Sequence, residues 1–283
     1  YLAIRSSLPL QQRGAWHNES YNMDIQRNSP PTSRFVYDAF ACNVEDSLTL
    51  IFGIGTTPEQ AKQSLTNVTD QRNTNTFDSH HDLAAHMALQ SLLALGAQHD
   101  NQHGIYAGLP WFYQWWTRDE GISLGGLIAA GHSNTAKNIL KRQCKQTLPD
   151  GRLANRYPHS ELGSADGIGW HATRLLDLLP RFSDSELEPF FDMLIKQKEL
   201  LEQHYLHNDL IVNKAHETWI DTGGEADPRD GACIEIQCLH QKLNDCLTAL
   251  AQRLGKEYHP VDRRETIKAR FFKGHLLDRV HYG

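Results

Sequence analysis

From about residue 80 onward the sequence alternates apolar helical stripes with short polar connections, and no run reads as a strand. Ala84, Ala88, Leu92 and Leu95 recur at spacings of four and three, and Leu89 and Leu93 widen the same face. The same texture predicts a second helix over Ile122–Cys144, a third over Gly167–Leu179, a fourth over Ser185–His204, a fifth over Asp230–Leu254 and a sixth over Asp262–Lys273. Ser183 and Glu186 carry the spacing of a capping box ahead of the fourth. A helix with one apolar stripe must bury it against a neighbour. This region is therefore expected to be all-α, with paired helices arranged as a solenoid or toroid.

Residues 1 to about 56 differ in texture. Ser33–Asp38 and Leu48–Ile54 are short, apolar and bounded by turn formers, as strands are. Asn28–Thr32 holds two prolines and cannot continue a ladder. Thr56-Thr57-Pro58-Glu59 marks a helix start, with proline in the first turn and an acid at the positive helix end. That helix is expected to end near Ser64, and the polar stretch after it to be a linker. The expected organisation is a β-rich region with a short helix over 1–64, a linker over 65–79 and the helical domain over 80–283.

A chain of 283 residues accommodates one large domain, or one domain and part of another. A net charge of −6 with no basic stripe excludes a nucleic-acid partner or an anionic membrane surface. No signal peptide or apolar run of transmembrane length is present. The five cysteines show no C-x-x-C spacing, which fits reduced thiols in the cytoplasm. His80, His81 and His86 lack the Glu of an H-E-x-x-H pattern, so neither a metal nor a cofactor is expected. The chain opens at Tyr1 rather than methionine and is read as a piece of a longer product.

The chemistry gathers at Gly108–Gly121, where Trp111, Phe112, Tyr113, Trp115 and Trp116 precede Arg118-Asp119. Large aromatic groups beside an ionic pair are costly to bury unless the pair is hydrogen-bonded or bound to something. Flat aromatic faces with a few aimed polar groups suit a sugar ring, apolar on one face and hydroxylated at its edge. The alternative is an aromatic helix start capped by a salt bridge. Asn155-Arg156, Asp166, Trp170, Glu217–Asp221 and Arg229-Asp230 also fall at or beside helix ends. Loops on a rigid scaffold are where binding groups collect, so these positions are expected to share one rim.

Five segments together resemble the amylo-α-1,6-glucosidase domain of glycogen debranching enzymes. They are P-W-F-Y-Q-W-W-T-R-D-E-G-I-S-L-G-G-L (110–127), D-G-R-L-A-N-R-Y-P (150–158), A-D-G-I-G-W-H-A (165–172), E-T-W-I-D-T (217–222) and R-D-G-A-C-I-E-I-Q-C-L (229–239). The resemblance implies a mainly α chain, part of an (α/α)₆ toroid related to glucoamylase-like glycosidases, preceded by the end of a β-sandwich domain. It also implies inverting hydrolysis of α-1,6-glucosidic branch points in glycogen or limit dextrin by two carboxyl groups about 6.5–9.5 Å apart. By resemblance the general acid is Asp221, its pKa raised by Trp219 and Glu217 nearby.

Arg118 and Asp119 would bind hydroxyls of a terminal glucose, or lock the helix start. Trp111, Trp115 and Trp116 would be stacking platforms, and Trp170 a subsite wall. Asn155 and Arg156 would line the pocket or cap it. Asp166 is a ligand or an N-cap. Glu217, Trp219, Arg229 and Asp230 complete the substrate-binding set, Asp230 alternatively capping the fifth helix. Glu235 is read as structural or substrate-facing, with a lesser claim as a substitute base.

Two departures from the family pattern stand out. Thr117 occupies a position where that family usually has Gly before Arg-Asp. A toroid of six hairpins needs roughly twice the helices visible here, and the family's general base is a Glu in a C-terminal part that this chain does not contain. The missing half is the expected partner, and the chain alone is expected to associate through uncovered helix faces. Other activities stay open: a glucoamylase-like exo-α-glucosidase on other linkages, or an inactive glucan-binding relative.

Overall fold

The computed structural model describes residues 1–20, 22, 33–73, 83–99, 101–109, 112, 114–158, 162–220 and 229–281. The chain divides into two compact units, Tyr1–His80 and His81–Gly283, and is mainly α.

In the first unit, β1 (Leu2–Ser6) pairs antiparallel with β4 (Leu50–Ile54), Leu2 opposite Ile54. A second ribbon joins β2 (Gln11–Ser20) to β3 (Ser33–Ala41), with Trp16 opposite Tyr37. Helix α1 (Pro58–Asn73) lies so close to β4 that a Cβ on Gly53 would stand 2.1 Å from the Ala61 carbonyl oxygen. Strands β3 and β4 occupy the two runs predicted for them. Strand β2 left no sign in the sequence because all ten of its residues are exposed, with no alternation to read. Helix α1 passes its expected end at Ser64 and runs to Asn73, through most of the stretch read as a linker. Ala61 and Leu65, four residues apart, are its buried stripe, and Lys62, Gln63, Thr66 and Asn67 are exposed.

The second unit carries α2 (Leu83–Ala94), the hairpin β5 (Gly96–His99) and β6 (Gln102–Ile105), and β7 (Trp115–Trp116). The longer helices follow: α3 (Thr117–Ala129), α4 (Ser133–Gln143), α5 (Gly167–Leu178), α6 (Asp184–Tyr205), α7 (Ile234–Leu254) and α8 (Arg264–Phe271). The Ser183–Glu186 capping box opens α6 as expected.

Two helix boundaries correct the sequence reading. The run expected as one helix over Ile122–Cys144 is two, and the first begins at Thr117. Gly131 breaks it with φ +86, its N–H donating to the Ile128 carbonyl (3.1 Å) while His132 N–H bonds Leu127 O (2.8 Å). Helix α7 starts at Ile234 rather than Asp230. Gly231 turns the chain with φ +104, and Ala232–Cys233 pair with Arg279–Val280 before the helix begins. Cys233 therefore holds the N-cap position, and Asp230 does not.

Helix directions follow from close approaches. A Cβ on Gly121 would stand 2.6 Å from Trp170 Cβ, and one on Gly125 would stand 2.2 Å from Arg174 Nη1. The contacts advance together along both helices, so α3 and α5 run parallel. On α6 and α7 the order reverses: Arg253 donates to Asp184 (2.8 Å), whereas His240 lies 3.3 Å from Glu202. These two are antiparallel. One core joins α3 to α7 through Leu124, Ile139, Ile168, Leu175, Leu194, Leu243 and Leu247. A smaller cluster seats Phe271 of α8 against Leu210 and Ala232. Among the described residues no helix is long and apolar enough to cross a membrane. All five cysteines are free thiols.

Candidate active site

The start of α3 is sewn to the loop that precedes α5. Trp115 pairs with Tyr157 and Trp116 with Arg156, and Arg156–Tyr157 form β8. The Thr117 hydroxyl donates to the Ala154 carbonyl (2.6 Å) and its N–H to Asn155 O (3.0 Å). Trp115 is buried and stacks on Tyr157, ring centres 4.9 Å apart. Arg156 donates to Gln114 Oε1 (3.0 Å) and lies 5.8 Å from the centre of the Trp116 ring.

Arg118 reaches across to α5 and donates from Nη1 to Asp166 Oδ2 (3.2 Å). Both side chains are buried. Asp166 occupies the N-cap position of α5, yet its side chain makes no cap bond. Burial pushes its carboxyl above the usual range, and Arg118 pulls it back. Asp166 Oδ1, Asn155 Oδ1 and Trp116 Nε1 have no hydrogen-bond partner among the described residues. Trp170, half-buried, stands one turn into α5 against Gly121, and Asp119 is half-buried in the first turn of α3.

Glu217 joins this neighbourhood through its backbone, its carbonyl accepting from Ala165 N–H (2.8 Å). Its carboxylate is already engaged, by Arg152 Nη1 on one oxygen and Lys214 N–H on the other (2.8 Å). Arg152 also grips Asp150 (2.9 and 2.6 Å) in the D-G-R turn. Burial raises the Asp150 pKa, but its bonds to Arg152 outweigh that and hold it below the usual carboxylate value.

Further on, the buried Arg229 donates to Glu235 (2.8–3.1 Å) and to Asp278 (2.9 Å), and its guanidinium lies 5.4 Å from the Trp219 ring. Trp219 and Asp230 are exposed, and the Asp230 carbonyl accepts from Arg279 (3.3 Å). Asp221 and Trp111 lie outside the described residues.

Trp115, Trp116, Arg118, Asn155, Arg156, Asp166, Trp170 and Glu217 thus fall in one hydrogen-bonded neighbourhood at the starts of α3 and α5. Trp219, Arg229 and Asp230 follow along the chain from Glu217 in a second cluster. Among the described residues no group of three or more His, Cys, Asp or Glu is placed to hold a metal ion.

The sequence reading missed the buried network behind this surface. Glu120, fully buried, accepts from Ile105 N–H (3.0 Å), Gln143 Nε2 (3.2 Å) and Arg142 Nη2. Burial drives its pKa up against Arg142. Gln143 gives its amide hydrogen to a carboxylate, so its oxygen faces His171 Nδ1 (3.1 Å) as acceptor and the imidazole must carry a hydrogen there. Burial lowers the His171 pKa to about 3, and the ring is neutral. One signal was available: Glu120, Leu124 and Leu127 share a stripe at spacings of four and three, which places Glu120 in the core.

Comparison with curated proteins returns no match. A family model described as amylo-alpha-1,6-glucosidase matches residues 87–278. That span takes in the paired starts of α3 and α5, the D-G-R turn and the Arg229 clamp alike, and the chain belongs to the amylo-alpha-1,6-glucosidase family.

Proposed function

We propose that this chain supplies the first half of an (α/α)₆ toroid, preceded by the end of a β-sandwich domain, that hydrolyses α-1,6-glucosidic branch points of glycogen or limit dextrin with inversion. The observation that carries the reading is the joint at the N-terminal ends of two parallel neighbouring helices. There Arg118 meets Asp166 at 3.2 Å beside Trp115 and Trp116. Aromatic faces flanked by charge-assisted donors and a buried carboxylate match a terminal glucose, with ring faces for stacking and hydroxyls for Arg118, Asp119 and Asp166. Membership of a glucosidase family supports the substrate class. Parallel α3 and α5 with α4 between them, and antiparallel α6 and α7, agree with hairpins laid side by side around a ring.

In this reading Asp221 protonates the leaving glycosidic oxygen, with Trp219 and Glu217 close by in sequence. The base is assigned to the other half of the toroid, and Glu235 and Glu217 are left out of that role because both are engaged. Both oxygens of Glu235 accept from Arg229, and those of Glu217 accept from Arg152 and Lys214. A groove of about 680 Å³ between α7 and α8, lined by Ile267, Phe271, Phe272 and Leu276, offers the next hairpin an apolar seat.

The test is Asp221→Asn in the full-length protein, with glucose release measured from branched dextrin. The expected loss is about 10²–10⁴-fold, as for other general acids. A loss below about tenfold would overturn the acid assignment. Faster release from a linear maltooligosaccharide than from the branched dextrin would move the activity to an exo-α-glucosidase.

A further inference from the structure

We infer that Glu120 and Arg142 are positioning residues, a buried pair that sets the rotation of α3 and so aims Arg118 and Asp119 at the sugar. The inference rests on the glycosidase reading.

The argument starts from what the pair does not do. A buried ion pair is weak evidence of stability, since apolar side chains of the same volume often hold a core as firmly. What apolar groups lack is direction. Arg142 donates from Nε to His103 O (3.1 Å), from Nη1 to Gln146 Oε1 (3.0 Å) and from Nη2 to Glu120. Its guanidinium also lies 4.8 Å from the Trp115 ring centre and 5.2 Å from that of Tyr157. One planar fork therefore ties β6, β7, β8, α3 and α4 together, and a planar fork has few alternative settings. Glu120 adds a third direction through Ile105 N–H (3.0 Å).

Position makes this consequential. At 3.6 residues per turn, side chains two apart point about 200° apart around a helix. Arg118 and Glu120 are two apart, so they face opposite sides of α3. Pinning Glu120 in the core fixes the azimuth at which Arg118 meets Asp166. Trp115 is pinned by the same group, and a Cβ on Gly104 would stand 2.0 Å from its ring, so the strand entering the helix has no slack. Neither Glu120 nor Arg142 is exposed enough to touch a substrate.

Two conservative variants test this in the full-length protein. Glu120→Gln keeps the shape and removes the charge; Arg142→Lys keeps the charge and removes the fork. Each is expected to lower kcat on branched dextrin by about 10–100-fold, the scale of an ångström-sized misplacement. KM should change less than kcat, assayed well below the melting temperature. Amide exchange should rise over Trp115–Asp119 and stay unchanged along α6 and α7. The double variant should lose little more than either single one, since both break one unit. Folded variants with wild-type kcat overturn the inference. So does global unfolding of both, which would make the pair a folding element. If the wild type releases no glucose from branched dextrin, the glycosidase reading falls, and the exchange result alone then judges the pair.

Discussion

Carboxylates at the α3–α5 joint and along the α6–α7 seam are both buried or partly buried against cations, yet their environments push them in opposite directions. At the seam, burial raises Glu202, but His240 (3.3 Å) and Lys198 (2.7 Å) outweigh it and bring its pKa to about 2, and Arg263 donates to the same carboxylate (2.9 Å). At the joint, Glu120 and Asp166 each face one arginine, and burial wins, so both stay above the usual value. The seam has gathered enough positive charge to make ionised Glu202 a source of stability. The joint holds its charges at a cost. Groups kept in that condition are kept for arrangement, which favours the joint over the seam as the place for a site.

The largest effect should come from leaving one charge of the joint alone. Arg118→Met strands Asp166 in the core and is expected to destabilise by about 3–5 kcal/mol in urea denaturation. Adding Asp166→Leu should recover most of that, because two apolar groups need no partner. A single variant within about 1 kcal/mol of wild type would mean that the joint is wetter than its burial implies, and the contrast with the seam would disappear.

At the seam, Glu202→Gln should destabilise by about 1–2 kcal/mol near neutral pH, the scale of hydrogen bonds to charged groups. The pH dependence separates the two regions by sign. The folded pKa of Glu202, about 2, lies below its ordinary value of 4.5, so its contribution is present above pH 4.5 and lost as pH falls toward 2. Glu202→Gln should flatten that limb. In Arg118→Met the sign reverses. A carboxyl with a raised folded pKa binds its proton more tightly in the folded state, so acidification toward the carboxylate range should recover stability. Parallel acid limbs in the two variants would break the comparison.

The contrast also explains what could be read from the chain alone. Helices α2, α5 and α6 were legible because an apolar stripe is a local pattern, repeated every three or four residues. Arg118 stood out in the sequence through the aromatic run beside it, but its partner did not. Sequence spacing offers the adjacent Asp119; the fold brings Asp166, 48 residues away. Arg229 is similar, since its second acid, Asp278, lies 49 residues on and reaches it only because Arg279–Val280 folds back onto Ala232–Cys233. Glu235 was read as structural or substrate-facing, and its bonds to Arg229 give it a structural part. The break at Gly131 was lost because apolar residues on both sides kept the helical period going. Long-range pairing leaves no trace in spacing, and the joint depends on it.

The smallest effect is expected at Thr117, where the resemblance to the family leads us to expect glycine. Thr117 is buried, and its hydroxyl donates to Ala154 O at 2.6 Å. Its methyl lies 3.3 Å from where a Cβ on Gly167 would stand, at the start of α5. Thr117→Ser keeps the donor and removes one methyl group, so about 0.5–1 kcal/mol should be lost, close to the value of a single buried carbon. Thr117→Gly removes the donor as well and frees the first helical residue, so about twice that should be lost. If the two variants melt together, the hydroxyl contributes nothing, and the strand pairing, the Thr117 N–H bond to Asn155 and the Trp115–Tyr157 stack hold the start of α3 to the loop. If serine behaves as threonine and glycine does not, the bond to Ala154 is what steadies this turn.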